Sequence, residues 1–237
     1  MASKANPIFP DLHYRASSLS DVILGGQDGL VNVLGVILGV AAATNDVNIV
    51  VVAGLAATFA ESVSMGAVAY TSTLADSDLY ESERQREYRH INAYPELERD
   101  EIREIYQRRG FKGDLLERIV ETITANKDVW VAVMMAEELN LSPVNRRQAM
   151  RSALVVGLSA VVGSLIPLMP FFWLPVNVSM YVSLLTAALA LFAVGTYKAR
   201  ATVGRPVRSG LEMAIIGILS ALAGYAAGVI FKAPVTP

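Results

Sequence analysis

Five stretches of the chain are apolar over about 20 residues or more, at 20–44, 48–73, 150–171, 176–197 and 210–231. That is the length a helix needs to cross roughly 30 Å of hydrocarbon. Each therefore predicts a membrane span. Ser20 is a natural N-cap for the first, with Asp21 favourably placed in its opening turn. The short polar link TNDVN (44–48) returns the chain, and the second apolar stretch runs to about Thr73. It then turns polar (TSTLADSDLYESERQREYRHI) without a Gly or Pro, which predicts one long helix leaving the membrane and continuing into water. PLMPFFWLP (167–175) joins the third span to the fourth with aromatics suited to an interface belt, and YKARATVGRPVRS (197–209) joins the fourth to the fifth.

Between the second and third spans lies a polar insert, residues 76–145. Asn92-Ala93-Tyr94-Pro95 ends its first helical segment, because the residue before a proline avoids the α region. PELERDEIREIYQRR forms a second segment and stops at Gly110, a natural C′ position. Asp114 begins a third, which breaks near Asn126 before DVWVAVMMAEELNL ends at Ser142-Pro143. No stretch carries a strand signal. The predicted fold is an all-α membrane protein: five transmembrane helices with a three- to four-helix domain inserted between the second and third. Its predicted parts are an N-terminal segment 1–19, spans 20–75, the insert 76–145, and spans 146–237. The N-terminal segment is polar, with an amphipathic patch at Leu12, Tyr14 and Leu19, and is expected either along the membrane surface or as a loose tail.

Composition sharpens this. Of 237 residues 53% are hydrophobic and 18% charged, with a mean hydropathy of +0.42. The first apolar run is too long for a signal peptide and is expected to be retained. A net charge of −2 hides an insert with sixteen Asp/Glu against ten Lys/Arg, a local −6. Such a domain favours cations as partners and argues against nucleic acid. Five spans place the N-terminus, the insert and the 197–209 loop on one side. That side holds nineteen of the twenty Lys/Arg, with only Lys232 on the other. By the positive-inside rule it faces the cytoplasm. The chain has no Cys, which excludes disulfides and thiolate metal sites, and no nucleotide-binding glycine loop is present. Gly35-x-x-x-Gly39 and Gly224-x-x-x-Gly228 have the spacing that lets membrane helices approach closely, often at dimer faces; the plainer alternative is that Gly is common in such helices.

Chemistry inside the spans rests on few residues. Asp28, flanked by Gln27 and Asn32, lies about nine residues into the first span, roughly 14 Å deep at 1.5 Å per residue. Glu61 and Met65 are four apart on one face of the second, Met65 at a depth of about 12 Å. Ionisable residues in a span usually mark an ion or substrate path, and these spans hold no Lys or Arg to neutralise them. Two carboxylates and a thioether at similar depth describe a stepwise cation path, with sulfur favouring softer transition metals over Mg²⁺ or Ca²⁺. Packing for Met65 and an interhelical hydrogen bond for Glu61 are the plainer roles. Glu212, read as opening the fifth span, is explained by the helix dipole.

In the insert, Glu87-x-x-His90 and Glu98-x-x-Glu101 each place two ligand atoms on one helix face, and the turn at Asn92–Pro95 folds the pairs together. Met134, Met135 and Glu138 stand at i, i+1 and i+4. A solvated charged face is the common fate of such residues, but Glu-x-x-His also occurs in di-iron bundles.

These residues resemble the vacuolar iron transporter family, ferrous-iron and manganese exporters of plant and yeast vacuoles and their prokaryotic relatives. The likeness is carried by GGQDGLVNVLGVILGVAAAT, SVSMGAVAY, the acidic insert ending in MMAEELNL, and VGLSAVVGSLIPLMPF, and it spans residues 20 to 231. The resemblance implies a homodimer with a metal path at the subunit interface, exchanging Fe²⁺ or Mn²⁺ for protons. It makes Asp28 and Met65 path residues, and Glu87, Glu98, Glu101, Met134, Met135 and Glu138 metal ligands. The chain departs from the family twice. The family's second-span Glu falls at Ala57, while this chain offers Glu61 one turn further on. His90 replaces an insert Glu, a nitrogen ligand that favours Fe²⁺, Co²⁺, Ni²⁺ or Zn²⁺ over Mn²⁺.

The reading that follows is a secondary metal/proton antiporter rather than an enzyme. The insert captures metal from the cytoplasm, and Met65, Asp28 and Glu61 pass it across the lipid bilayer. The short N-terminus and compact size suggest a prokaryotic inner membrane, or a vacuolar membrane if the source is eukaryotic. The competing readings are a membrane-anchored di-iron ferroxidase and a metal-sensing membrane protein. A single Glu-x-x-His, and an anchor with no use for Asp28 and Glu61, weigh against the first.

Overall fold

The computed structural model describes residues 12–202 and 204–232, with side chains from residue 19. Every regular element among them is helical: α1 (Leu12–Thr44), α2 (Val47–Ala93), α3 (Pro95–Arg108), α4 (Gly113–Thr124), α5 (Lys127–Glu137), α6 (Arg146–Leu168), α7 (Val176–Ala201) and α8 (Pro206–Ile230). A short 3₁₀ turn, Met169–Phe172, follows α6. Five helices (α1, α2, α6, α7 and α8) are long and apolar enough to cross a membrane.

The chain divides into two units, residues 1–70 with 150–237 and residues 71–149, to both of which α2 contributes. In the first, α1 supplies the centre of the core. Leu30, Val33, Leu34, Ile37, Leu38 and Ala41 are buried with Leu168, Leu191 and Ala221 of the surrounding helices. Backbones come close where glycines remove the Cβ. A side chain at Gly25, Gly29 or Gly163 would collide with the α1–α6 partner, and one at Gly228 with Gly39. A Cβ on Gly39 would lie 2.7 Å from the Gly224 carbonyl oxygen. The two GxxxG pairs therefore pack against each other within one chain, α1 against α8. The spacing marks a close approach without naming the partner, and within this chain the partner is the other pair.

Several boundaries differ from the sequence reading. Ser20 does not cap the first span; α1 begins at Leu12 and runs through it. With no Gly or Pro between Asp11 and Ser20, a cap-type residue is carried inside the helix. The expected behaviour of residues 1–11, and of the Leu12 and Tyr14 side chains, lies outside the described residues. α8 opens at Pro206, so Glu212 sits in its second turn, paired with Arg208 at 2.8 Å, not in the first. α6 meets Pro167 near its end and gives way to the 3₁₀ turn, and α7 takes one carbonyl from each: Ser183 Oγ donates to Pro167 O of α6 at 2.5 Å and Ser179 Oγ to Pro170 O of the turn at 3.2 Å. Of the aromatics expected at the interface here, Phe172 and Trp173 are exposed, but Phe171 joins the core.

The second unit is a small bundle of the polar half of α2 with α3, α4 and α5, its core built on Ile91, Ile102, Ile105, Val120, Trp130 and Val131. Tyr94 precedes Pro95 at the first position of α3, so the chain turns sharply there. α3 ends in a Schellman motif on Gly110 (φ +97°): Gly110 N–H donates to Gln107 O at 3.0 Å and Phe111 N–H to Tyr106 O at 3.2 Å. Asn126 caps α5, accepting from Asp128 N at 2.9 Å and Val129 N at 3.3 Å. α5 stops at Glu137 rather than at Ser142-Pro143, and Asn140 takes a positive φ of 53° just beyond it.

Candidate metal-binding sites

Two groups of acidic residues form, one in each unit. In the membrane unit Asn32, one turn beyond Asp28 on α1, donates its Nδ2 to Oε1 of Glu61 on α2. The Asp28 side chain is itself within hydrogen-bonding reach of Glu61. Met65 lies one turn along α2 from Glu61 and, like Asp28 and Glu61, is only partly covered, while Asn32 is exposed. The group thus opens on one side of a single chain.

The glycine motif around Asp28 has a positioning role. Gly25 and Gly29 face α6, where Ala160 and Ser164 sit against Gly29 and leave no room for a side chain. The approach fixes the azimuth of α1, and Asp28 lies on another face of the same turns. Gln27, expected beside Asp28, is directed elsewhere and lines an apolar groove of about 620 Å³ between α1, α6 and α7. Ala57, where the family resemblance puts a carboxylate, packs against the apolar core instead. Asn32 is the residue the sequence reading left without a role; its i+4 spacing from Asp28 was the available signal.

In the second unit the turn at Tyr94–Pro95 brings Glu98 back toward α2, with His90 Nδ1 at 3.4 Å from Glu98 Oε1. Glu87 and Glu98 are buried, only 3% and 2% exposed, and Glu98 Oε2 has no hydrogen-bond partner. Arg86 stands 3.6 Å from Glu87, the nearest counter-charge to the group. Burial, and then the charges of Glu101 and Glu87, pushes the Glu98 carboxyl up to about 7. Glu138, exposed at the C-cap of α5, moves in the same direction through partial desolvation and then Glu101 and Glu87. Four carboxylates and an imidazole therefore feel one another across α2, α3 and the end of α5.

Met134 and Met135, expected as ligands, are fully buried in the bundle core with Ile102 and Val120. Among the described residues, no three His, Asp or Glu side chains stand in geometry that would hold an ion as they are. The acidic group carries more negative charge than Arg86 offsets, and burying carboxylates this way is unfavourable unless protons or cations neutralise them.

Comparison with known proteins adds an independent finding. The model of the VIT family matches residues 19–229. Vacuolar iron transporter 1 of Tulipa gesneriana is 34% identical over 216 residues, covering 90% of this chain and 87% of its own length. Vacuolar iron transporter 1 of Oryza sativa subsp. japonica is 33% identical over 226 residues, covering 94% and 90%. Vacuolar iron transporter of Plasmodium falciparum (isolate 3D7) is 27% identical over 225 residues, covering 91% and 82%.

Proposed function

The chain belongs to the VIT family, and we infer that it carries divalent iron across a membrane as a secondary transporter. The relatives are named as iron transporters, which supports transport rather than catalysis for this chain. The observation that carries the reading is the Asp28–Asn32–Glu61 group, two carboxyls and an amide gathered between two apolar helices. A membrane anchor has no use for such a group, and an ion path does.

The mechanism follows from carboxylate chemistry. When ionised, Asp28 and Glu61 supply negative charge to Fe²⁺, with the Met65 thioether as a soft donor beside them. Asn32 holds Glu61 in place from α1. Protonation of the two carboxyls from the far side removes the attraction, so proton entry drives metal release and couples the two flows. Mn²⁺ and other divalent ions compete for the same oxygen donors. In the insert Glu87, His90, Glu98, Glu101 and Glu138 concentrate metal on the cytoplasmic side, and transport runs out of the cytoplasm. A homodimer closes the open side of the Asp28 group. The membrane is the inner membrane of a prokaryotic cell, or a vacuolar membrane in a eukaryote.

The test is Fe²⁺ uptake into proteoliposomes under an imposed pH gradient. Wild-type uptake that follows the gradient, and its loss in Asp28→Ala, is the expected result. Transport unaffected by Asp28→Ala removes the path, and transport indifferent to the gradient removes the coupling to protons.

A further inference from the structure

The end of the membrane unit that carries the α7–α8 connection gathers cations that the transport reading leaves unused. Lys198 from the last turn of α7, with Arg205 and Arg208 at the start of α8, lines a cavity of about 550 Å³. The hydroxyls of Thr202 and Ser209 line it too. Its one carboxylate, Glu212, is already engaged by Arg208 at 2.8 Å. Among the described residues neither Lys198 nor Arg205 has an acidic partner. The cavity therefore holds an excess of two positive charges in a chain whose overall charge is −2.

The cavity is also preformed. Behind it α7 and α8 meet closely: a Cβ on Gly195 would lie 2.5 Å from Ser209 O, and one on Gly210 2.7 Å from Thr196 Oγ1. Thr196 Oγ1 donates to Pro206 O at 3.4 Å, tying the two helices together at the same level. A backbone fixed this way holds the cations near one another before any ligand arrives, which lowers the ordering cost of binding. Placement of positive charge on one side of a membrane requires Lys and Arg in the loop; it does not require them to converge on a cavity with two hydroxyls.

The immediate surroundings indicate what fills it. Val207 and Leu211 are exposed on α8, each next in sequence to Arg208 or Glu212. Apolar side chains facing outward beside a cationic cavity match a molecule with a charged head and an apolar body, and a free phosphate has no use for them. We propose that the cavity binds the phosphodiester headgroup of an anionic phospholipid, whose acyl chains lie along Val207 and Leu211. Basic pockets between membrane helices on the cytoplasmic side bind such headgroups. The stems of Lys198 and Arg205 cover apolar surface while their charged ends reach the phosphate.

The experiment uses the full chain purified in mild detergent, with retained lipid counted by native mass spectrometry after titration with phosphatidylglycerol or phosphatidylcholine. Wild type is expected to retain phosphatidylglycerol in preference to phosphatidylcholine. Lys198→Gln with Arg205→Gln weakens that retention roughly thirtyfold, the worth of two interfacial cations, and leaves phosphatidylcholine unchanged. The charge-keeping pair Lys198→Arg with Arg205→Lys restores it. Equal retention by the Gln pair overturns the proposal, as does loss in the charge-keeping pair, which makes the effect structural. Displacement of the lipid by millimolar inorganic phosphate overturns the lipid assignment.

Discussion

Asp28, Asn32 and Glu61 divide their labour in a way that substitutions can separate. Asn32 has no charge to carry; it orients Glu61 through one hydrogen bond. Asn32→Leu is therefore expected to slow Fe²⁺ uptake by roughly tenfold to a hundredfold, the loss of a hydrogen bond to a charged group. Initial rates in proteoliposomes decide it, and a rate equal to wild type denies Asn32 its role. Asp28 was legible in the sequence because a carboxylate in an apolar run stands out. Asn32 was not, because an amide in a membrane helix gains meaning only once the opposing Glu61 is known. Glu98 offers a second handle. Its carboxyl is raised from 4.5 to about 7 in the folded protein. For an acid raised on folding, the extra stability is complete below the unfolded value and is lost as pH climbs through the folded one. The metal-free protein should thus lose stability as pH rises from about 4.5 to about 7, and Glu98→Gln should flatten that loss in thermal unfolding. An unchanged slope in Glu98→Gln places the pH dependence elsewhere.

At the level of helices, the sequence predicted the number and kind of elements well and their ends less well. Hydrophobic blocks of spanning length, the Tyr94-Pro95 turn, the Gly110 stop and the break near Asn126 each rest on a local physical rule, and each recurs in the structure. α1 overran its expected start because a cap residue only caps when the chain before it is not helical. Partnership between helices was not legible at all: the same GxxxG spacing serves a dimer or a neighbour in the chain. Gly39→Leu should destabilise the α1–α8 contact by about 1–3 kcal/mol, as overpacked interiors do, and lower the unfolding temperature in detergent. A transition unmoved by Gly39→Leu contradicts the contact. Asn126→Ala removes the α5 cap and is expected to cost about 1 kcal/mol, read from the same melts.

For the molecule as a whole, metal should act as a folding ligand. Fe²⁺ or Mn²⁺ at a hundred times its dissociation constant would stabilise the chain by about 2.7 kcal/mol. The gain should widen as pH rises and protons stop competing for Glu98 and Glu138. Absence of any shift in unfolding temperature with either metal rules out the acidic group of the insert as a capture site. The net negative charge of the insert was legible from the sequence alone. Its burial of Glu87 and Glu98 was not, because polar residues at helical spacing read equally well as a solvated face. One further consequence lies in the order of synthesis. The Gly35–Gly39 face of α1 finds its partner in α8, the described helix farthest from it along the chain. At a translation rate of roughly 5–20 residues per second, the first span waits in the bilayer for on the order of ten seconds or more with that face uncovered. A message cut short before α8 leaves a chain that inserts but never closes, a substrate for membrane quality control.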